Sequence, residues 1–157
     1  MRVTRLTLLL AGALAAPAMA AQAPPDLSGT WVLQLDQSDL GAMTGQLQAR
    51  TDVIEHKEPN LKIKRIVRST AGESTSDLVY MVDGKPWKNT AGPTEITSTL
   101  TWEEGALVMV STVPNPQGEV TITDRYTLSA DGKTLTQARV LSLGGQEIAQ
   151  KMVLTRQ

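Results

Sequence analysis

The sequence predicts an all-β fold, an antiparallel up-and-down meander barrel of nine or ten strands. Turn signals recur at intervals of about 12 residues beyond Asp26, which is typical of short strands joined by hairpins. The segments between the turns are rich in Val, Ile, Thr and Leu and alternate with a period of two, as half-buried strands do. Nine strands are clear, and a tenth, short strand is predicted near residues 86–89. Because the strands share one apolar face, we expect the sheet to close on itself.

The first 20 residues have the three parts of a secretory signal peptide. Arg2 and Arg5 form a basic start, residues 6–16 are apolar, and Ala18-Met19-Ala20 fits the small-x-small rule for cleavage. A membrane anchor is the alternative, but the apolar run is short for a bilayer. We therefore expect a cleaved leader and a periplasmic or secreted protein. With no cysteine in the chain, we expect neither a lipid-modified N-terminus nor another stable membrane anchor.

Beyond the leader, the sequence predicts a linker over residues 21–26 and one domain over 27–157. The net charge is -1, from 15 basic and 16 acidic residues, so nucleic acid is not an expected partner. There are no cysteines and no phenylalanines, so Leu, Ile, Val and Met must fill the core without disulfides. No metal-ligand spacing or phosphate-binding loop is found, and we expect no cofactor.

The first hairpin follows the one long interval without a strand signal. Residues 37–49 are predicted to form a short helix capped by Ser38 or a loop folded over one end. Pairing across residues 57–60 then places Ile54 opposite Ile63 and Asp52 opposite Arg65.

The middle hairpins are predicted from two short turns. Asp83 and Gly84 would place Tyr80 opposite Trp87 and Leu78 opposite Asn89, because a two-residue turn fixes the register of its hairpin. Glu104 and Gly105 would set three pairs in the same way. These pairs are Trp102–Leu107, Leu100–Met109 and Ser98–Ser111.

The last two hairpins are predicted independently and agree with each other. Their turns are Asp131-Gly132 and Gly144-Gly145. The first sets the pairs Leu128–Leu135, Tyr126–Gln137, Asp124–Arg139 and Ile122–Leu141. The second sets Leu141–Ile148, Arg139–Gln150, Gln137–Met152 and Leu135–Leu154. Both turns therefore put the same residues of the shared strand on one apolar face, and the threonines fall on the other.

The domain begins Leu27-Ser28-Gly29-Thr30-Trp31, and Gly-x-Trp at the first strand of a meander barrel resembles the calycins. In that group, which contains the lipocalins and the fatty-acid-binding proteins, the tryptophan closes one barrel end and a late arginine packs over it. The resemblance implies this role for Trp31 and Arg156. Residues 123–126, Thr-Asp-Arg-Tyr, are similar to the lipocalin Thr-Asp-Tyr motif with one residue added. Since no C-terminal helix follows, the chain is most similar to small bacterial lipocalin-like proteins of undefined role.

Several polar residues are predicted to share the inward, apolar face. They are Asp52, Arg65, Tyr80, Ser98, Ser111, Asp124, Tyr126, Gln137, Arg139 and Gln150. One interpretation is a wet cavity that holds an anionic head group, as the resemblance to fatty-acid-binding proteins implies. The other is that the Asp–Arg pairs are structural, because unpaired buried charge is costly. The candidate ligand-binding residues are Arg139, Tyr126, Asp124, Gln137, Arg65 and Tyr80.

These observations predict a non-catalytic protein that binds a small amphiphilic or apolar molecule. The alternative is a filled barrel that acts as a structural or interaction module with a protein partner of the cell envelope. An enzyme is the least favoured hypothesis, because only acidic residues and tyrosines are available to carry a reaction. His56, the one histidine, is predicted to lie at a solvated hairpin end.

Overall fold

The computed structural model describes residues 23–157. The predicted signal peptide at residues 1–20 lies outside the described residues, as does the first part of the predicted linker. Within residues 23–157, no helix is long and apolar enough to cross a membrane. The boundaries of leader, linker and domain remain predictions.

The described chain is built from ten antiparallel strands. Their bounds are β1 Gly29–Leu33, β2 Leu47–Lys57, β3 Asn60–Ser69, β4 Gly72–Met81, β5 Pro86–Ala91, β6 Thr94–Glu103, β7 Ala106–Asn115, β8 Gly118–Leu128, β9 Thr134–Leu143 and β10 Gln146–Arg156. The predicted all-β meander is confirmed, including the short strand β5. The interval before β2 holds two 3-10 helices, Leu35–Gln37 and Gly41–Met43. Ser38 does not cap a helix start, since its hydroxyl bonds the carbonyl of Gln34 and the amide of Val153.

The strands form one sheet in the order β4-β3-β2-β1-β10-β9-β8-β7-β6-β5. Pairing of β1 with β10 joins the first strand to the last, with Trp31 opposite Arg156. The sheet therefore curls into a barrel whose two edge strands are β4 and β5. No ladder joins these two strands, and we call the gap between them the seam.

The two ends of the barrel differ in packing. At the packed end, where β1 begins, fully buried side chains fill the interior, and these include Leu27, Trp31, Leu61, Leu100, Leu107, Leu135 and Leu154. At the open end, the first residues of β4 and of β10 are exposed. Ile148 shares the interior face of β10 with Gln150, yet 51% of it is exposed. The interior is therefore filled by apolar packing at one end, and the strand ends at the other are exposed to solvent.

The strand pairs predicted from the turns are confirmed at four hairpins, including Asp52–Arg65 and Asp124–Arg139. The pairing predicted across Asp83 and Gly84 is wrong. After β4 the chain turns away, because the amide of Val82 donates to Pro59 and that of Gly84 donates to Leu100. Residues 82–84 are thus bonded to the β2–β3 turn and to β6. Strand β5 pairs only with β6.

Candidate ligand site in the barrel interior

A continuous polar network crosses the middle of the barrel. It consists of Arg65, Asp52, Arg50, Gln137, Asp124 and Arg139, and we call it the polar waist. Arg65 donates to Asp52 from Nε and Nη2, both at 2.9 Å. Arg50 bonds the same carboxylate from Nε at 3.0 Å and reaches Gln137 from Nη1 at 2.8 Å. The chain of contacts therefore runs from β3 through β2 to β9.

The second half of the polar waist lies on β8 and β9. Gln137 Nε2 donates to Asp124 Oδ1 at 2.8 Å. Arg139 donates to the two oxygens of Asp124 from Nε at 2.7 Å and from Nη2 at 2.9 Å. Gln137 thus accepts from Arg50 and donates to Asp124, and it links the two ion-pair clusters. Its side chain is completely buried, so both ends of the amide need such partners.

Strand register explains why these side chains meet. Asp52 pairs with Arg65 across β2 and β3, and Asp124 pairs with Arg139 across β8 and β9. Directly paired residues lie on the same face of the sheet, about 4.5–5.5 Å apart at Cβ. Arg50 lies two residues before Asp52 and therefore shares its face. The barrel curvature then brings β2 and β9 together across the interior.

The ion pairs shift the pKa values of their members. Burial acts to raise the pKa of Asp52, but the charges of Arg65 and Arg50 outweigh it and hold this pKa well below its usual value. Burial acts to lower the pKa of Arg65, but Asp52 and, to a smaller extent, Tyr126 raise it. The pKa of Arg139 is also raised, because its bond to Asp124 outweighs the effect of burial. All three side chains therefore stay ionised in the barrel.

Two tyrosines point to the same region. The Tyr126 hydroxyl is buried and makes no hydrogen bond with any described residue, although Tyr126 is only 4% exposed. Burial, together with the nearby Tyr126, raises the pKa of Tyr80 to about 12. Ser98 and Ser111 bond each other at 2.8 Å beside them. Both tyrosine side chains are therefore close to the guanidinium of Arg65, whose charge acts on the pKa of Tyr80.

A cavity of about 100 Å³ lies next to the polar waist. Its polar lining includes Arg65, Ser76, Tyr80, Ser111, Asp124 and Arg139, and its apolar lining comes from Leu78, Ala91, Ile96, Met109 and Ile122. Three of these residues belong to β4 and one to β5, so the cavity adjoins the seam. Leu100 and Tyr126, which the sequence places on the same face, are not part of its wall.

Below this region, Trp31 closes the packed end. The Arg156 guanidinium lies over its ring at 4.5 Å from the centroid, as the sequence resemblance implies. Trp31 Nε1 donates to the Leu27 carbonyl at 2.9 Å. Gly29 has φ of +135°, and a Cβ there would lie 3.0 Å from Arg156 Nη1. The glycine of the Gly-x-Trp motif therefore makes room for the arginine that covers the tryptophan.

All six candidate ligand-binding residues face the interior. Arg65, Tyr80, Asp124 and Arg139 line the cavity, Gln137 lies within the polar waist, and Tyr126 is buried close to Arg65. Sequence reasoning missed Arg50, which is 4% exposed. Its alternation with Asp52 and Ile54 is the signal that identifies it, but the pairing predicted for this hairpin stopped at Asp52.

His56 lies at the end of the β2–β3 hairpin, as predicted, but the prediction that it is solvated is wrong. Its side chain is 3% exposed. Nδ1 accepts from the Leu27 amide at 3.2 Å, and Nε2 contacts Glu58 Oε1 at 2.8 Å. The ring also lies 5.8 Å from that of Trp102. His56 therefore ties the segment before β1 to the β2–β3 hairpin. No cluster of His, Cys, Asp and Glu among residues 23–157 could hold a metal ion.

Comparisons with known proteins identify structures with a similar fold. No protein-family model and no curated protein matches the sequence. Solved structures do match. Zebrafish ileal bile acid-binding protein, complexed with cholic acid, has a TM-score of 0.57 at 13% identity, covering 83% of this chain and 98% of its own. Caenorhabditis elegans lipid binding protein 8 has a TM-score of 0.58 at 13% identity, covering 89% of this chain and 100% of its own.

A third matching structure is not described as a binding protein. A secretory abundant heat soluble protein from Ramazzottius varieornatus has a TM-score of 0.59 at 15% identity, covering 83% of this chain and 94% of its own. At these identities the likeness is one of fold. The chain therefore has the fatty-acid-binding-protein and lipocalin type of fold, a nearly closed antiparallel meander that here has ten strands.

Proposed function

We propose that the barrel binds a small amphiphilic molecule with an anionic head group and catalyses no reaction. The observation that carries this proposal is the charge around the cavity. Two guanidinium groups, from Arg65 and Arg139, line it together with one carboxylate, from Asp124. The polar waist as a whole also has one more positive charge than negative charges, because it holds three arginines and two aspartates. An anion bound here would balance a positive charge that is costly to bury alone.

Donors for such an anion are present. Arg65 and Arg139 each use Nε and Nη2 on an aspartate, which leaves Nη1 of each outside these ion pairs. Tyr80 also lines the cavity. Charge-assisted hydrogen bonds from guanidinium to carboxylate are about twice as strong as neutral ones. A carboxylate or sulfonate head group fits this set of donors.

The apolar part of the ligand would lie on the side chains around and above the cavity. Leu78, Ile96, Met109 and Ile122 line it, and Ile148 is exposed at the open end. Pockets for small molecules commonly have about 300–1,000 Å³, whereas this cavity has about 100 Å³. We therefore expect the head group and a few carbons to fit inside without rearrangement. A longer tail would reach the open end or displace side chains.

The structural neighbours support this class of ligand. One is a bile acid-binding protein in complex with cholic acid, and another is a lipid binding protein. Cholic acid is an amphiphile with a carboxylate. Both neighbours are described as binding proteins, which supports a non-catalytic function here.

The small cavity also favours a second candidate function. A barrel whose packed end and polar waist are already filled can act as a structural or interaction module with a protein of the cell envelope. In that case the ion pairs are purely structural.

Titration with three molecules of equal chain length separates the two candidates. We expect octanoate to bind more tightly than 1-octanol, and octylammonium to bind least, measured by calorimetry on the mature protein. Arg65→Met should weaken octanoate binding roughly tenfold to a hundredfold, the worth of a hydrogen bond to a charged group. Arg68→Met, an exposed arginine on the same strand, is the matched control and should bind as wild type does.

Two results would contradict the proposal. Equal affinity for the three molecules would contradict the anionic head group, and no binding would favour the interaction module. Native mass spectrometry of protein purified from its own host tests the same point without a chosen probe, by looking for a retained acidic molecule.

We further propose that the protein is exported and acts in the periplasm or outside the cell. The basic start, the apolar run and the Ala18-Met19-Ala20 site support this proposal. N-terminal sequencing of protein from its own host should find a mature chain that begins at Ala21. A chain that still begins at Met1 would contradict export by cleavage.

A further inference from the structure

The seam between β4 and β5 is bridged by one side chain. The amide of Asn89 on β5 makes two hydrogen bonds to the backbone of Val79 on β4. Oδ1 accepts from the Val79 amide at 2.8 Å, and Nδ2 donates to the Val79 carbonyl at 2.9 Å. A carboxamide has the same donor and acceptor as a peptide unit, so Asn89 acts in place of a paired strand residue.

Apart from this bridge, the facing edges of β4 and β5 lack a ladder. In antiparallel strands, the N–H and C=O of one residue point to the same neighbour, and alternate residues point to opposite neighbours. Since Val79 points to the seam, Asp77 and Thr75 point there too. Neither of them pairs with β5. Every other neighbouring pair of strands in the barrel is joined by a ladder of backbone hydrogen bonds, so the seam is where the barrel wall separates at the lowest cost.

The interior cavity lies behind the seam. Ser76, Leu78 and Tyr80 of β4 and Ala91 of β5 line it. Asn89 pairs with Ile96, another lining residue, and therefore belongs to the interior face of β5. Its side chain, however, turns sideways to Val79. The residue that bridges the seam thus lies beside residues that line the cavity.

We propose that Asn89 holds the seam closed and that its release from Val79 opens the route by which a ligand reaches the cavity. The ligand in this inference rests on the proposed function, whereas the opening of the seam rests on the geometry of the sheet. Because the cavity is small, a ligand whose tail does not extend to the open end needs the wall to move. The seam can widen by breaking two side-chain hydrogen bonds, whereas other strand pairs would lose several backbone bonds each.

The opening is tested first without any ligand. Hydrogen exchange of the Val79 amide, followed by NMR, should be about tenfold faster or more in Asn89→Ala. Asn89→Asp keeps the acceptor for the Val79 amide but loses the donor, and it should lie between wild type and Asn89→Ala. Amides on β1 and β10 should not change. Thr90→Ala, an exposed residue of the same strand, is the control, and unchanged exchange at Val79 in Asn89→Ala would overturn the proposal.

The route is tested with octanoate by stopped-flow or NMR line shape. Both the association and the dissociation rate constants should rise in Asn89→Ala, and the dissociation constant should change less than either rate. Gln146→Ala, an exposed residue at the open end, should leave the rates as they are. If the rates respond to Gln146→Ala and not to Asn89→Ala, ligand enters through the open end and the gate is overturned while the proposed function stands. If no variant binds octanoate, the proposed function fails, and the gate fails with it.

Discussion

Asp124 and Arg139 face each other on β8 and β9 and are joined by two parallel hydrogen bonds, Nε to Oδ1 at 2.7 Å and Nη2 to Oδ2 at 2.9 Å. Asp124 is buried, whereas Arg139 is partly exposed and lines the cavity. The contacts fit a structural pair, and under the proposed function the exposed part of Arg139 also serves a ligand. The two interpretations that the sequence allows therefore do not exclude each other.

The first prediction concerns the coupling within this pair. Arg139→Met leaves Asp124 buried with Gln137 as its one side-chain partner, and it should cost about 3–5 kcal/mol of unfolding free energy. Asp124→Leu should cost a similar amount. The double variant should recover much of the loss, because neither charge is then stranded. Urea unfolding of all three proteins gives the coupling energy, and a value near zero would contradict a structural pair.

The second prediction compares Arg65 with Arg139. Asp52 is bonded by two arginines, Arg65 and Arg50, so Arg65→Met leaves the carboxylate one cationic partner. We expect a loss of about 1.5–3 kcal/mol, the worth of a hydrogen bond to a charged group, and thus a smaller loss than in Arg139→Met. Arg68→Met, which is exposed, should change stability by less than about 0.5 kcal/mol. An equal cost for Arg65→Met and Arg139→Met would show that Arg50 does not support Asp52.

The third prediction concerns acid stability. The pKa of Asp52 is lower in the folded chain than its usual value of 3.8. Its ionised form therefore stabilises the fold above pH 3.8, and this contribution is lost as the pH falls below that value toward the folded pKa. Asp52→Asn should be less stable near neutral pH but should lose less further stability on acidification.

Unfolding by urea at a series of pH values below neutrality measures this slope. Asp77→Asn, an exposed residue on β4, is the control and should keep the slope of the wild type. If Asp52→Asn has the same slope as the wild type, other carboxyl groups account for the acid sensitivity.

The fourth prediction concerns the packed end. Trp31 is completely buried and is covered by Arg156. Trp31→Ala should cost about 3–5 kcal/mol, as large-to-small changes in a core do. Trp87→Ala, which removes a tryptophan that is only partly buried, should cost less. Thermal unfolding compares the two variants, and a loss below about 1 kcal/mol for Trp31→Ala would contradict its role in closing the barrel.

Short turns make much of the fold and of the polar waist predictable. A two-residue turn fixes every pair in its hairpin, and two turns that share β9 agree on the same inward face. That agreement suffices to assign Asp124, Arg139, Tyr126 and Gln137 to the barrel interior. The same logic fails at Asp83 and Gly84, because a local turn signal carries no information about hydrogen bonds to distant strands. There, bonds from Val82 to Pro59 and from Gly84 to Leu100 separate β5 from β4.

Contacts across the barrel could not be predicted in this way. The bond from Arg50 to Gln137 joins residues 87 positions apart, and it depends on how the closed sheet curves. Arg50 could be assigned to the inward face by alternation alone. Its meeting with Gln137 depends on the diameter of the barrel, which no local pattern encodes.

The seam also has a consequence for how the chain could be rearranged. In the natural chain, closing the barrel requires contacts between residues far apart in sequence, because Trp31 on β1 pairs with Arg156 on β10. The start of β1 and the end of β10 lie close together, since the Gln157 amide donates to the Thr30 carbonyl. A circular permutant that joins these ends and opens between β4 and β5 would start at one edge of the seam and finish at the other. Every strand would then pair only with its sequence neighbours, and such a permutant should fold faster than the natural chain, because folding rate rises as contact order falls.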